Sequence, residues 1–212
     1  TDDVEGEVIS RGDVSAITDS QIEAELVKMC GTIMQRPSSV SAVKVDGERA
    51  YDRVRAGESV ELAAREVTIS QLDITAIRRI ENAIEVDIEV TCSAGTFIRA
   101  IARDCGDALA VGGHLNALRR TRVAGFGLDK AISLTSLKAG EFATLPLVDV
   151  ARTTFSAREL ALEEVNELSF GRPLSANPDE AIHAAISGEE LIALLCNKDG
   201  LAKPIAVFAA AN

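Results

Sequence analysis

Apolar and polar side chains alternate strictly from Ile84 to Val90, with Ile84, Val86, Ile88 and Val90 on one face and Glu85, Asp87 and Glu89 on the other. A period of two predicts a half-buried strand. Just upstream, Arg65 to Ile77 is rich in β-formers, with Val67, Ile69, Leu72 and Ile74 apolar, and Arg78 to Asn82 is polar and turn-like. The two runs predict an antiparallel hairpin. After Val90 the period changes. Ser93-Ala94-Gly95 ends the strand, and Ile98, Ile101, Cys105 and Leu109 then recur at spacings of three and four, the apolar stripe of a helix. Arg99 falls in the first turn of that helix, where the dipole disfavours a cation, so the position calls for an anionic partner. Gly112-Gly113-His114 and the run Arg119-Arg120-Thr121-Arg122 follow.

The same patterns organise the rest of the chain. Glu7-Val8-Ile9 predicts a short strand after a turn. Thr18-Asp19-Ser20-Gln21 is a capping box, Ile22, Leu26, Met29 and Cys30 keep helical spacing behind it, and Gly31 is the expected C-cap. Pro37-Ser38-Ser39 breaks regular structure, Val40 to Val45 leads to an Asp46-Gly47 tight turn, and Glu48 to Arg55 predicts a short helix. Val123 to Leu128 predicts a short strand, Ser133 to Leu137 a turn or short helix, and Pro146 a boundary. Ser156-Ala157-Arg158-Glu159 predicts a second capping box, opening a helix through Val165 and Leu168 that ends at Gly171. Leu191 to Cys196 and Ile205 to Phe208 predict strands, so 147–212 is expected to form a small, mostly β module.

With 47% hydrophobic residues among 212, the chain can bury a core, and it contains no apolar run of membrane length. The expectation is a soluble, cytoplasmic protein. Cys30, Cys92, Cys105 and Cys196 are scattered without metal-ligand spacing and only His114 and His183 accompany them, so no metal site is expected and the thiols are expected to be reduced and mostly buried. His183 sits among alanines and receives no role. The net charge of −11 speaks against nucleic acid when taken globally. By segment it does not: 35–55 carries five basic and three acidic side chains, and 92–130 six and three. Lys44, Arg49, Arg53 and Arg55 surround Tyr51, a combination that can grip looped RNA, although an ordinary surface hairpin and helix has the same composition. No phosphate-binding glycine loop and no nucleophile elbow occurs. Asp104 and Asp107 share a helix face, and a solvated face accounts for them. The residues alone therefore point to RNA binding and to no particular reaction.

Longer blocks carry a resemblance. CSAGTFIRAIARDCGDAL followed by GGHLNALRRTRVAGF resembles the C-S-x-G-T-Y-I-R … G-x-H-x-x-x-L-R-R-x-x-V block of TruB-type tRNA pseudouridine synthases. PSSVSAVKVDGERAYDRVRAGESVE resembles that family's P-x-x-S-A-x-K-x-x-G-x-x-x-Y-x-x-A-R-x-G segment, REVTI continues it, and TDDVEGEV resembles T-D-T-x-D-x-x-G-x-V. The likeness covers about the first two-thirds of the chain in the family's order. The last third is similar, more weakly, to the family's small C-terminal RNA-binding module.

The resemblance implies an α+β fold: the later half of a mixed, mainly antiparallel pseudouridine-synthase sheet with flanking helices over 1–146, an RNA-gripping loop over 35–62, and a PUA-like module over 147–212. It implies isomerisation of the T-loop uridine of tRNA, position 55, to pseudouridine, with no metal and no cofactor. The base is flipped from its stack, and the partner is tRNA, with no obligatory protein partner and a monomer expected. By motif position Arg99 pairs with the family's catalytic aspartate, Phe97 stands where a tyrosine is usual beside the target base, and Leu118 lines the base pocket. Lys44, Arg49, Tyr51, Arg53, Arg55, His114, Arg119, Arg120 and Arg122 are expected to contact RNA. Phenylalanine can stack but moves no proton.

The catalytic aspartate belongs to a G-[TA]-L-D-P motif upstream of the T-D-T stretch, and no such motif occurs here. The chain is therefore expected to be a fragment of an enzyme, inactive by itself, with no catalytic residue of its own. A non-catalytic RNA-binding protein, a guide-RNA-dependent relative and a structural domain without an RNA role stay open as alternatives.

Overall fold

A computed structural model describes residues 2–8, 10–38, 44–45, 48–49 and 62–209. They fall into two compact units, Thr1–Leu118 and Arg119–Asn212. The boundary expected at Pro146 falls inside the second.

In the first unit, helix α1 (Asp19–Val27) opens on the expected box: the Gln21 N–H donates to Thr18 Oγ1, and the Thr18 N–H to Gln21 Oε1. It is capped at Lys28, not Gly31. Gly31, at φ +95°, instead begins strand β1 (Gly31–Gln35), an element the hydrophobic pattern did not reveal. Glu7 and Val8 form no strand; the chain there makes one isolated bridge, Asp3 to Leu115.

Strands β2 (Lys44–Val45) and β3 (Glu48–Arg49) pair antiparallel, with Val45 opposite Glu48. That corrects the helix expected from Glu48 onward, at least for its first two residues: a ladder takes their backbone groups. The rest of that expected helix, with Tyr51, Arg53 and Arg55, lies outside the described residues, as does the Asp46-Gly47 pair.

Strand β4 (Arg65–Ile80) pairs with β1 on one side and β5 (Ala83–Cys92) on the other, giving the antiparallel order β1-β4-β5. It runs three residues beyond the expected end, because Arg78 is anchored across the ladder to Asp87 and Glu85. The apolar spacing 67, 69, 72, 74, 77 breaks a strict period of two. Register shifts between Ile69 and Gln71 and between Ile74 and Ala76 restore the phase. Leu72, Ile74 and Ile77 can then meet Val90, Ile88 and Val86. Helix α2 (Ile98–Ala108) lays Ile98, Ile101, Cys105 and Leu109 on that sheet beside Ile22 and Leu26 of α1.

In the second unit, the strand expected over Val123 to Leu128 is a tight hairpin, β6 (Arg122–Val123) with β7 (Phe126–Gly127), followed by α3 (Leu134–Ala139) capped by Ser133. Pro146 opens α4 (Leu147–Thr154), which the sequence did not reveal. Ser156 opens no helix. Ser156–Glu159 is strand β8, running parallel to β10 (His183–Ser187), and α5 (Leu162–Ser169) starts later, where the Glu164 carboxylate accepts from the Ala161 N–H. With β9 (Leu174–Ser175), β11 (Glu190–Lys198) and β12 (Leu201–Val207) these form one sheet in the order β8-β10-β11-β12-β9.

Helix α4 packs Val148 and Ala151 against Ala184, Ile186 and Leu191, while the Leu168 side of α5 packs against Ala185, Ala193 and Leu195. Both faces of β10 are thereby covered. His183 is buried, with its Nε2 2.9 Å from Asp179 Oδ1. The cysteines are all free, but Cys30 is exposed and the other three half-buried, which corrects the expectation of mostly buried thiols.

Candidate functional site

The corner between β5 and α2 is built by side chains that bond back to the sheet. The Ser93 N–H donates to Thr68 O at 2.8 Å, and Ser93 Oγ accepts from the Thr68 N–H at 3.0 Å. Gly95 takes φ +86° with open space where a Cβ would stand, so the turn can form there. Phe97 is the N-cap of α2 but offers no capping side chain. Its backbone is held instead by Gln35 at the end of β1, and Arg65 at the start of β4 lies over its ring, 4.8 Å from the centroid. Neither residue stood out in the sequence.

Arg99 and Arg103 lie one turn apart on α2, so they share a face. Two consecutive carboxylates meet them. Asp3 Oδ2 is 3.0 Å from Arg99 Nη1, and Asp2 Oδ2 is 3.2 Å from Arg103 Nη1. Ser38, fully buried, donates to the same Asp2 oxygen at 2.5 Å. Arg103 also donates to the Arg36 carbonyl at 2.8 Å and to Asp104 Oδ1 at 2.8 Å. The anion that Arg99 called for is thus supplied within the described residues, by Asp3. Asp3 stands in no G-[TA]-L-D-P context, so it is not the aspartate that the resemblance pairs with Arg99. Asp104 is taken up by Arg103, and Asp107 is exposed, so they form no acid–base pair.

Backbone bonds hold the acidic pair in place: the Val4 N–H donates to Leu115 O and the Leu115 N–H to Asp2 O, each at 3.0 Å. Leu115 reaches that position because the Gly112-Gly113 turn folds tightly onto α2. A Cβ on Gly113 would stand 2.1 Å from the Ala102 carbonyl oxygen, and one on Gly106 2.1 Å from the Gly112 carbonyl carbon. Burial pushes the Cys105 thiol up, with the negative charge of Glu25 adding to it, which disfavours the thiolate of this half-buried cysteine packed against the core. Among the described residues no group of three or more His, Cys, Asp or Glu side chains is placed to hold a metal ion.

Residues 1–98 match the family described as TruB family pseudouridylate synthase (N terminal domain), residues 99–144 the tRNA pseudouridylate synthase B C-terminal domain, and residues 155–209 tRNA Pseudouridine synthase II, C terminal. The tRNA pseudouridine synthase B of Arthrobacter sp. (strain FB24) is 47% identical over 224 residues, an alignment that covers 100% of this chain and 73% of that protein. The chain belongs to the TruB family of pseudouridine synthases. The protein of the same description from Mycobacteroides abscessus is 49% identical over 100% of this chain and 72% of its own length, and that from Thermobifida fusca 41% over 99% and 73%. A solved Cbf5-Nop10-Gar1 complex contains a chain of similar fold, with TM-score 0.66 and 20% identity, covering 94% of this chain; the present chain spans 64% of it. An H/ACA RNP bound to a substrate RNA gives TM-score 0.63 at 19% identity, over 93% of this chain and 62% of that one. At such identity these two likenesses concern the fold alone. They agree with the mixed α+β, mainly antiparallel architecture.

Against the TruB-derived expectations, the residues stand as follows. Phe97 and Arg99 sit together at the start of α2, both half-buried. Leu118 is 59% exposed, and His114 is exposed on the loop after α2. Arg119, Arg120 and Arg122 are exposed and belong to the second unit. Lys44 and Arg49 are directly opposed backbone positions of the β2–β3 ladder. Tyr51, Arg53 and Arg55 lie outside the described residues. Gln35, Arg65, Asp2, Asp3 and Arg103 are the neighbours that sequence reasoning missed. The one signal available for Asp2 and Asp3 was their place in the TDDVEGEV block.

Proposed function

We propose that this chain carries the tRNA-gripping part and one wall of the base pocket of an enzyme that isomerises the T-loop uridine of tRNA, position 55, to pseudouridine. The observation that carries the reading is the 47% identity to a tRNA pseudouridine synthase B along the whole chain. The geometry of the Phe97–Arg99 corner is compatible with it. In that reaction the bond from the ribose C1′ to uracil N1 breaks, the detached ring rotates, a bond from C1′ to C5 forms, the C5 proton is released to solvent, and N1 takes up a proton, so that the product is an isomer of the substrate. No electrons are gained or lost overall, and no cofactor is needed. The Arg99 guanidinium keeps a carboxylate at the corner ionised and oriented. The Phe97 ring packs on the flipped base without exchanging protons, and Leu118 lines the pocket. Lys44, Arg49, Tyr51, Arg53, Arg55, His114, Arg119, Arg120 and Arg122 meet phosphates and bases of the stem-loop. The protein works on tRNA as a cytoplasmic monomer, without an obligatory protein partner. Among the described residues no helix is long and apolar enough to cross a membrane.

No aspartate of the 212 residues stands in a G-[TA]-L-D-P context. The proposal includes that these 212 residues alone turn over no uridine. The experiment is tritium release from tRNA labelled at uridine C5, run on this polypeptide and on the complete product of its gene. Release by the complete product only is the expected result. Release by the 212 residues would overturn the proposal of inactivity and make Asp3, the carboxylate beside Arg99, the first candidate nucleophile. Filter binding of tRNA across a salt series is expected to give a falling log–log slope, and a flat slope would sink the RNA reading.

A further inference from the structure

Gln35 and Arg65 face each other across the β1–β4 ladder, and both side chains end on one residue, Phe97. The Gln35 side chain closes a two-point bond with the Phe97 backbone: the Phe97 N–H donates to Oε1 at 2.8 Å, and Nε2 donates to the Phe97 carbonyl at 3.1 Å. A primary amide offers a donor and an acceptor side by side, so it meets a residue's N–H and C=O as a neighbouring strand does. Gln35 is 2% exposed. A leucine would fill that volume, and burying an amide is costly unless its atoms are bonded. The position is therefore specified by what it binds. Arg65 holds the same residue differently, with its guanidinium 4.8 Å from the ring centroid, within cation–π range.

We infer that the cross-strand pair Gln35–Arg65 is a positioning clamp that fixes the backbone and ring plane of Phe97, and with them the first turn of α2 that carries Arg99. The inference rests on the reading of this corner as part of a pseudouridine synthase base pocket. Helix α2 has no side-chain cap of its own, and Gln35 accepts from the N–H of its N-cap residue, the bond that the third helical side chain makes in a capping box. Arg65 lies over one face of the ring. Neither side chain reaches the reacting atoms; both act through Phe97. Displacement by about 1 Å at such a corner lowers turnover by about a hundredfold.

The test uses the complete product of the gene, C5-tritiated tRNA, and the variants Gln35→Leu and Gln35→Glu. Gln35→Leu is expected to lower kcat about tenfold or more, with the Kd for tRNA within about twofold. Hydrogen exchange at the Phe97 amide should quicken about tenfold, while the Ile69 and Ile101 amides of the core keep their protection. Glutamic acid carries both a donor and an acceptor only when protonated. Gln35→Glu should therefore regain turnover relative to wild type as pH falls, a profile that a space-filling role does not produce. An unchanged kcat in Gln35→Leu, loss of protection spread over the whole core, or a pH profile of Gln35→Glu parallel to wild type would each overturn the clamp. If wild type releases no tritium, the functional reading fails, and Phe97 exchange in Gln35→Leu then decides the clamp alone: quickening confined to Phe97 and the first turn of α2 supports it, and an unaltered rate overturns it.

Discussion

Asp3 sets a carboxylate oxygen 3.0 Å from Nη1 of Arg99, with side chains 18% and 34% exposed. The pair sits where the chain before β1 crosses the first turn of α2. A cation in the first turn of a helix is unfavourable to the dipole, and a partly buried carboxylate beside it reverses that balance. Asp2 and Arg103 repeat the contact one turn on, with Ser38 completing the coordination of Asp2. The result is a row of charges held at fixed positions beside Phe97.

Arg99→Ala in the complete gene product is expected to lower kcat by roughly two orders of magnitude, with little change in tRNA affinity, as for loss of a preorganised charge contact. Affinity falling while turnover stays would make Arg99 a phosphate contact. Asp3→Ala combined with Arg99→Ala should be non-additive by about 1 kcal/mol or more in urea unfolding, since each variant removes the same contact. Additive losses would show that the ion pair carries no coupling.

Gly113→Ala tests how the acidic pair is kept in place. The new Cβ would stand 2.1 Å from the Ala102 carbonyl oxygen. Both atoms are fixed to backbone, so the turn must move away from α2. The expected cost is about 1–3 kcal/mol of stability. Because Leu115 is bonded to Asp2 and Val4, the shift should also reach the Arg99 corner and lower kcat. A variant as stable as wild type would mean that the turn can yield without strain.

Much of the first unit was legible because its elements are buried on one face. The alternation of Ile84 to Val90 and the stripe Ile98, Ile101, Cys105, Leu109 each announce one apolar side, and both meet in a single core. What stayed hidden has physical causes. Strand β1 is five residues long and its only buried member is the polar Gln35, so no period shows. The end of β4 is polar because Arg78 is held by carboxylates across the ladder, and polarity alone reads as a turn. Strand β10 is covered on both faces, so its Ala-Ala-Ile run lacks alternation. Ser156 to Glu159 has the spacing of a capping box, but pairing with β10 takes those backbone groups first. At the site, Phe97 and Arg99 were found through a motif. Gln35 and Arg65 were not, because their shared target lies 62 residues from Gln35 and no local pattern encodes such a contact.

Lys44→Ala addresses the RNA grip. The β2–β3 ladder sets Lys44 opposite Arg49, two cationic positions in a segment with a positive balance. The expected outcome is weaker tRNA binding, with the slope of log K against log salt reduced by about one unit and kcat at saturating tRNA unchanged. A slope equal to that of wild type would remove Lys44 from the phosphate contacts.

The second unit should lose stability in acid through Glu164. Arg158 Nη2 lies 2.7 Å from Glu164 Oε1, and Glu164 Oε2 accepts from the Ala161 N–H at 3.1 Å. The Arg158 hydrogen bond, then the Ala161 N–H, hold the Glu164 carboxyl below its ordinary value of 4.5, against a smaller opposing effect of burial. A carboxyl whose value is lowered by folding contributes stability above its unfolded value, and loses it as pH falls through the folded one. Arg158 also bonds Ser175 and Asn177, so the pair joins β8, α5 and the end of β9. Glu164→Gln should therefore cost roughly 1–2 kcal/mol near neutral pH, the range of a hydrogen bond to a charged group, discounted for partial exposure. The difference from wild type should shrink as pH drops below about 4. Urea midpoints followed by far-UV circular dichroism from about pH 7 to about pH 3 measure it. A difference that stays constant across that window would show that the Glu164 charge does not stabilise the fold.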